Sequence, residues 1–143
     1  MERLAEELTT VVVHQWQCDH FGHLNARFYA AIFDDATFVF WSRHGLAPGA
    51  RIVPVTAETR IAFRSEAGAG TVASVRSRVG RVGSKSVGVS LELVESRTDR
   101  LLASCEIVEV FFSLDTRQSE GIPPAIRESL EAKARSSGRC SSF

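Results

Sequence analysis

The chain has 143 residues, near the usual size of one domain and long enough to bury about two-thirds of its unfolded surface around a single core. Its 17 Lys plus Arg balance 17 Asp plus Glu, which argues against nucleic acid or an anionic membrane as partner. No apolar run reaches the roughly 20 residues needed to cross a bilayer.

Met1 to Thr10 is acidic and helix-like, not a basic leader followed by an apolar stretch. Cys18, Cys105 and Cys140 are odd in number, far apart and in no metal-like spacing, which fits a reducing compartment. The expectation is an unprocessed cytoplasmic protein with no bound metal.

Val11 to Gln17 is β-branched and apolar and predicts the first strand. Next comes Cys18-Asp19-His20-Phe21-Gly22-His23-Leu24-Asn25, in which a carboxylate, a permissive glycine, an imidazole and an amide crowd a hinge between two apolar segments. Such loops carry function more often than packing, because no regular ladder consumes their backbone.

From Ala26 the period changes. Phe28, Tyr29, Ala31, Ile32, Phe33, Ala36, Phe38, Val39, Phe40 and Trp41 occupy nearly all faces of a helix that Asn25 can cap and His44-Gly45 ends. Its length, about 28 Å at 1.5 Å per residue, would cross a small domain. A helix apolar nearly all round belongs in a core.

After Arg51 the period is two: Val55, Ala57, Thr59, Ile61 and Phe63 point one way, and Thr56, Glu58, Arg60 and Arg64 the other. Ala67-Gly68-Ala69-Gly70 makes a turn, Thr71 to Val79 a strand, and Gly80-Arg81-Val82-Gly83 a reversal. Val87, Val89, Leu91 and Leu93 mark another strand, Arg97 to Arg100 a turn, and Leu101 to Ser113 the last strand. Pro123-Pro124 opens a short helix through Arg135, and a serine-rich frayed tail from Ser136 to Phe143 follows. One antiparallel meander cannot cover both sides of the long helix, so a second copy of the chain is expected to supply the missing surface.

Strand, Asp-x-x-Gly-His-x-Asn hinge, central helix and four-stranded meander together resemble the hot-dog-fold thioesterases, specifically the 4-hydroxybenzoyl-CoA thioesterase-like branch. Cys18-Asp19, Gly22-His23-Leu24-Asn25, Tyr29 and Asp34-Asp35 carry the resemblance, which covers about residues 11–113. Where such chains commonly have a second Asn, this one has Ala26. The resemblance implies an α+β hot-dog fold, an antiparallel sheet wrapped around a long central helix, in one domain over 1–143 with a C-terminal helix and tail. It also implies a homodimer or dimer of dimers that hydrolyses a small or medium acyl-CoA at a site between subunits, with no further cofactor.

Thioester hydrolysis needs a group to activate water or attack the carbonyl, and a donor for the oxygen as it becomes negative. Asp19 answers the first need as general base or nucleophile. The helix-start amide of Ala26 answers the second: it lacks an internal acceptor, lies at the positive end of the helix dipole and has this role in the resembling enzymes. His23 and Asn25 join Asp19 as catalytic candidates, able to orient water, Asp19 or the carbonyl; the plainer account is that they fasten the hinge.

Gly22 permits a tight bend or close approach of the substrate, and Tyr29 with Phe21 lines an acyl pocket. Arg81, Ser84 and Lys85, near Arg76 and Arg78, are candidates for the CoA phosphates, because the matching hairpin in resembling proteins often touches CoA. His14 and His20 read as structural or solvent-facing. Cys18 reads as a weak nucleophile, because no charge relay is specified for its thiol, and Asp34-Asp35 reads as support. The alternatives are a hot-dog acyl-thioester dehydratase or hydratase, and a module that binds or senses acyl-CoA without turnover.

Overall fold

The structure, a computed structural model, describes the backbone of residues 5–141 and the side chains of residues 5–135. Met1 to Leu4, Ser142, Phe143 and the side chain of Cys140 lie outside the described residues. Strands β1 (Glu6–Val12), β2 (Ile52–Phe63), β3 (Val72–Val82), β4 (Ser86–Glu95) and β5 (Leu101–Ser113) form one antiparallel sheet in the order β1-β3-β4-β5-β2. Helices α1 (Ala26–Arg43) and α2 (Pro124–Ser141) complete the α+β architecture, with α1 against the sheet.

Alternation along the central strands builds the core. Val87, Val89, Leu91 and Leu93 of β4 and Ala103, Cys105, Ile107 and Phe111 of β5 are buried, and they join Ile32, Phe33, Ala36, Phe40 and Trp41 of α1 in one cluster. The outward face of α1 is mixed rather than apolar: Arg27, Asp34, Asp35 and Ser42 are exposed there together with Phe38, which is 66% exposed.

Three local expectations need correction. The first strand is Glu6–Val12, not Val11–Gln17, and it begins inside the acidic stretch that reads as helical. Partners distant in sequence decide this: Glu6 pairs with Arg43 at 2.9 Å, and Leu8 is buried. His14 to Gln17 instead closes a short turn, with Gln17 N–H donating to His14 O and His14 N–H donating to Gln17 Oε1, both at 2.9 Å.

The second correction falls on β2. Its register with β5 shifts between Thr56 and Glu58, so Ala57 is the extra residue of a β-bulge. A one-residue slip exchanges the two faces. Thr56 therefore lies opposite the inward Glu109, while Val55 lies opposite Val110 on the other face. From Thr59 to Phe63 the expected facing is kept.

The third concerns the C-terminal helix, which continues beyond Arg135 to Ser141 through the backbone expected to fray. Ile126 and Leu130 are buried in the common core, and His44 Nδ1 lies 2.7 Å from Ser129 Oγ.

Candidate active site

The hinge is a tight loop held by its own backbone. Asp19 N–H donates to His23 O at 2.8 Å and Gly22 N–H to Asp19 O at 3.1 Å, with Gly22 at φ +87°, a conformation that favours glycine. The Asp19 side chain completes the loop, because Oδ1 accepts from the amides of Phe21 at 2.9 Å and His23 at 3.2 Å. Those amides, the His23 amide first, hold the Asp19 carboxyl below the ordinary aspartate range against the opposing effect of desolvation. Its other oxygen, Oδ2, has no hydrogen-bond partner among the described residues.

The chain after β2 docks on this loop. Leu24 N–H donates to Ala67 O at 2.8 Å, and His23 bridges to Gly68. Asn25 then caps α1: its Oδ1 accepts from Arg27 N–H at 3.1 Å, and its carbonyl accepts from Phe28 N–H at 2.9 Å. Ala26 N–H, between these satisfied positions, has no acceptor among the described residues.

These pieces enclose an open cavity of about 440 Å³ lined by Asp19, His23, Leu24, Ala26, Tyr29, Phe63, Arg64, Ser65 and Glu66. Tyr29 is buried and packs edge-on against Phe63 at 5.1 Å between ring centroids. Burial raises its phenol pKa, against the nearby Arg100 charge, so the hydroxyl is neutral at ordinary pH. His23 Nε2 lies 2.6 Å from Glu66 Oε2.

Of the residues singled out in the sequence, Asp19, His23, Ala26 and Tyr29 thus meet at one cavity. Gly22 and Asn25 shape the loop and the helix start and are outside the lining. Phe21 is 83% exposed, and His20, Asp34 and Asp35 are exposed and outside the cavity lining. Arg81, Ser84 and Lys85 lie at the other end of β3, roughly 30 Å along the strand at about 3.3 Å per residue. There Arg127 donates to Ser84 O at 3.2 Å and Lys85 Nζ to Ser119 Oγ at 3.3 Å. Among the described residues no cluster of three or more His, Cys, Asp or Glu is arranged to hold a metal.

Sequence reasoning missed Phe63, Arg64, Ser65 and Glu66 as cavity residues: the first two end the period-two segment, the others follow it, and none carries a motif. Their only available signal is position, at the C-terminal end of β2 beside the Gly-rich turn.

Residues 12–130 match the model of the thioesterase-like superfamily, and the chain belongs to that family. Its fold is the hot-dog fold. A Staphylococcus aureus protein solved in complex with CoA is similar over 92% of this chain and 86% of its own, with a TM-score of 0.85 and 22% identity. A 1,4-dihydroxy-2-naphthoyl-CoA thioesterase from Synechocystis aligns over 85% and 93% of the two chains, with a TM-score of 0.75 and 15% identity. A gentisyl-coenzyme A thioesterase aligns over 85% and 98%, with a TM-score of 0.76 and 17% identity. No curated protein matches the sequence. No helix among the described residues is long and apolar enough to cross a membrane.

Proposed function

We propose that this chain hydrolyses a small or medium acyl-CoA to free acid and CoA at the cavity beside the hinge. One observation carries the reading: a carboxylate with a free oxygen, Asp19, and a helix-start amide without an acceptor, Ala26, line the same cavity. The amide polarises the thioester carbonyl and the carboxylate acts as base or nucleophile, with His23 and Asn25 ordering the surroundings. The acyl group packs on Tyr29 and Phe63. Structural relatives include a CoA complex and two acyl-CoA thioesterases, which supports the substrate class.

The CoA assignment requires a second copy. Arg81, Ser84 and Lys85 are too far along β3 to serve the cavity of their own chain. β2 is a sheet edge with Val55 to Arg60 exposed, and pairing two copies along it about a two-fold axis sets the Ile52 end of one against the Phe63 end of the other. The hairpin shares the Ile52 end of the sheet, where Phe111 N–H donates to Lys85 O and Ile52 pairs with Ser113. A homodimer, or a dimer of dimers, therefore brings one copy's cations toward the other's cavity. The free thiols of Cys18 and Cys105 suit a reducing, cytoplasmic setting.

The test is thiol release from a panel of acyl-CoA esters by wild type and Asp19→Asn, with light scattering for the assembly. Turnover by the wild type and its loss in the variant are expected. A second reading, acyl-CoA binding without turnover, draws on the fact that Asp19 Oδ1 is already engaged by two backbone amides, as in a purely structural turn. Binding of the panel without thiol release would favour it, and unchanged turnover in Asp19→Asn would remove the role given to Asp19.

A further inference from the structure

Beside Asp19 the cavity holds a second acid–base pair, His23 and Glu66. Nε2 of the ring is 2.6 Å from Glu66 Oε2. Two lone pairs cannot face each other at that distance, so Nε2 carries the hydrogen. In the neutral ring the lone pair is then on Nδ1. Nδ1 has no hydrogen-bond partner among the described residues, and both side chains line the cavity.

The pair is held from both sides. His23 N–H donates to Asp19 Oδ1 at 3.2 Å and His23 O accepts from Asp19 N–H at 2.8 Å, while the segment after Glu66 is pinned by the bond from Leu24 N–H to Ala67 O and by the bridge from His23 to Gly68. The backbone that carries the ring is thus fixed in the loop of Asp19, and the ring's contact with Glu66 lies in the same cavity as that carboxylate.

A carboxylate that has become part of an anhydride cannot also deprotonate the water that cleaves it. Hydrolysis through Asp19 as nucleophile needs a second base, and His23 is the one imidazole in the cavity lining. We infer that Glu66 is a positioning residue that presents His23 Nδ1 as proton acceptor for the water that frees the acyl group from Asp19. This rests on the thioester-hydrolysis reading above and assigns separate roles to Asp19 and His23 within it.

In the first step Asp19 Oδ2 bonds to the thioester carbon, the C–S bond breaks with its electron pair on sulfur, and the CoA thiolate takes a proton from solvent. In the second, water bonds to the acyl carbon of the anhydride and its proton passes to Nδ1. The anhydride C–O bond breaks, returning the Asp19 carboxylate and releasing the free acid. The imidazolium, facing the Glu66 carboxylate through Nε2, returns its proton to solvent.

The Glu66 side chain is 71% exposed, so Glu66→Ala leaves no internal hole. Thiol release is followed in steady state and by stopped flow for wild type, Glu66→Ala and Glu66→Gln. A positioned base is worth roughly 10²–10⁴ in rate, and because only the second step is slowed, Glu66→Ala is expected to lower kcat at least about tenfold with a parallel fall in KM, so that kcat/KM stays nearly unchanged. Acylation would still proceed, giving a rapid burst of one thiol per site before slow turnover. Glu66→Gln should recover part of the rate, because its carbonyl can still accept the Nε2 hydrogen. Turnover in Glu66→Ala equal to wild type, or a fall without a burst, would overturn the inference while leaving thioester hydrolysis intact. A wild type that releases no thiol would instead overturn the hydrolase reading and the inference with it.

Discussion

Trp41 of α1 donates its indole N–H to Oε1 of Glu109 on β5 across 2.8 Å, and both side chains are almost wholly buried. The hydroxyl of Thr56 donates to the other carboxyl oxygen. That second contact exists because the bulge at Ala57 turns Thr56 inward, so one irregularity in an edge strand satisfies a polar group under the central helix. Trp41→Phe keeps an aromatic ring but strands one oxygen. It should lower unfolding free energy by about 1–3 kcal/mol in urea titrations, whereas Glu109→Gln, which retains one accepting oxygen, should cost less.

Asp19→Asn separates the loop from the chemistry. The amide oxygen can still accept from Phe21 and His23, so the thermal midpoint should stay near that of the wild type. The neutral side chain can neither attack a thioester nor deprotonate water, and kcat should fall at least about 100-fold. Because backbone amides depress the wild-type Asp19 pKa, the carboxylate stays ionised through the ordinary aspartate range near about 3.9. Its contribution to stability is present above that value and is lost only as pH falls through the lower folded pKa. The rate between pH 4 and 7 should therefore show no limb from Asp19, which a comparison with the residual rate of Asp19→Asn checks.

The helix α1 was readable because its signals are local: a capping Asn25, ten apolar positions and an end at His44-Gly45. Strands β3, β4 and β5 were readable for the same reason, through alternation and short turns. β1 was not, since Glu6 and Glu7 become strand residues only against β3 and Arg43. The bulge at Ala57 was invisible because period two gives no notice of an inserted residue. Within the cavity, Asp19, His23 and Ala26 come from one short stretch of chain and stood out together. Phe63 and Glu66 reach them only through tertiary pairing of Ala67 and Gly68 with the hinge.

Asn25→Ala tests whether a residue of the hinge motif acts as a cap or in the chemistry. Its Oδ1 is engaged at the helix start and it does not line the cavity. Loss of the cap should cost about 1 kcal/mol in stability. The Ala26 amide belongs to the backbone and survives the change, so kcat should fall by less than about tenfold, far less than in Asp19→Asn. A loss as large as that of Asp19→Asn would place the Asn25 side chain among the reacting groups.

His44 couples the end of α1 to α2 and makes stability fall with acidification. Its ring is buried, bonded through Nδ1 to Ser129 Oγ and packed 4.5 Å from the Phe40 ring, while Nε2 is buried without a partner. Burial pushes the imidazole pKa below its ordinary value; the Glu6 carboxylate opposes this and Lys133 reinforces it. The unfolded chain therefore binds a proton near pH 6.5 that the folded chain refuses. The stability from neutral His44 is complete above that pH and drains away as pH falls toward the lower folded pKa. Urea midpoints for wild type should drop between pH 7.5 and 5.5, and His44→Gln, which keeps a polar partner for Ser129 but does not titrate, should lose that part of the drop. Equal pH dependence in the two proteins would mean that another group, not His44, takes up the proton on unfolding.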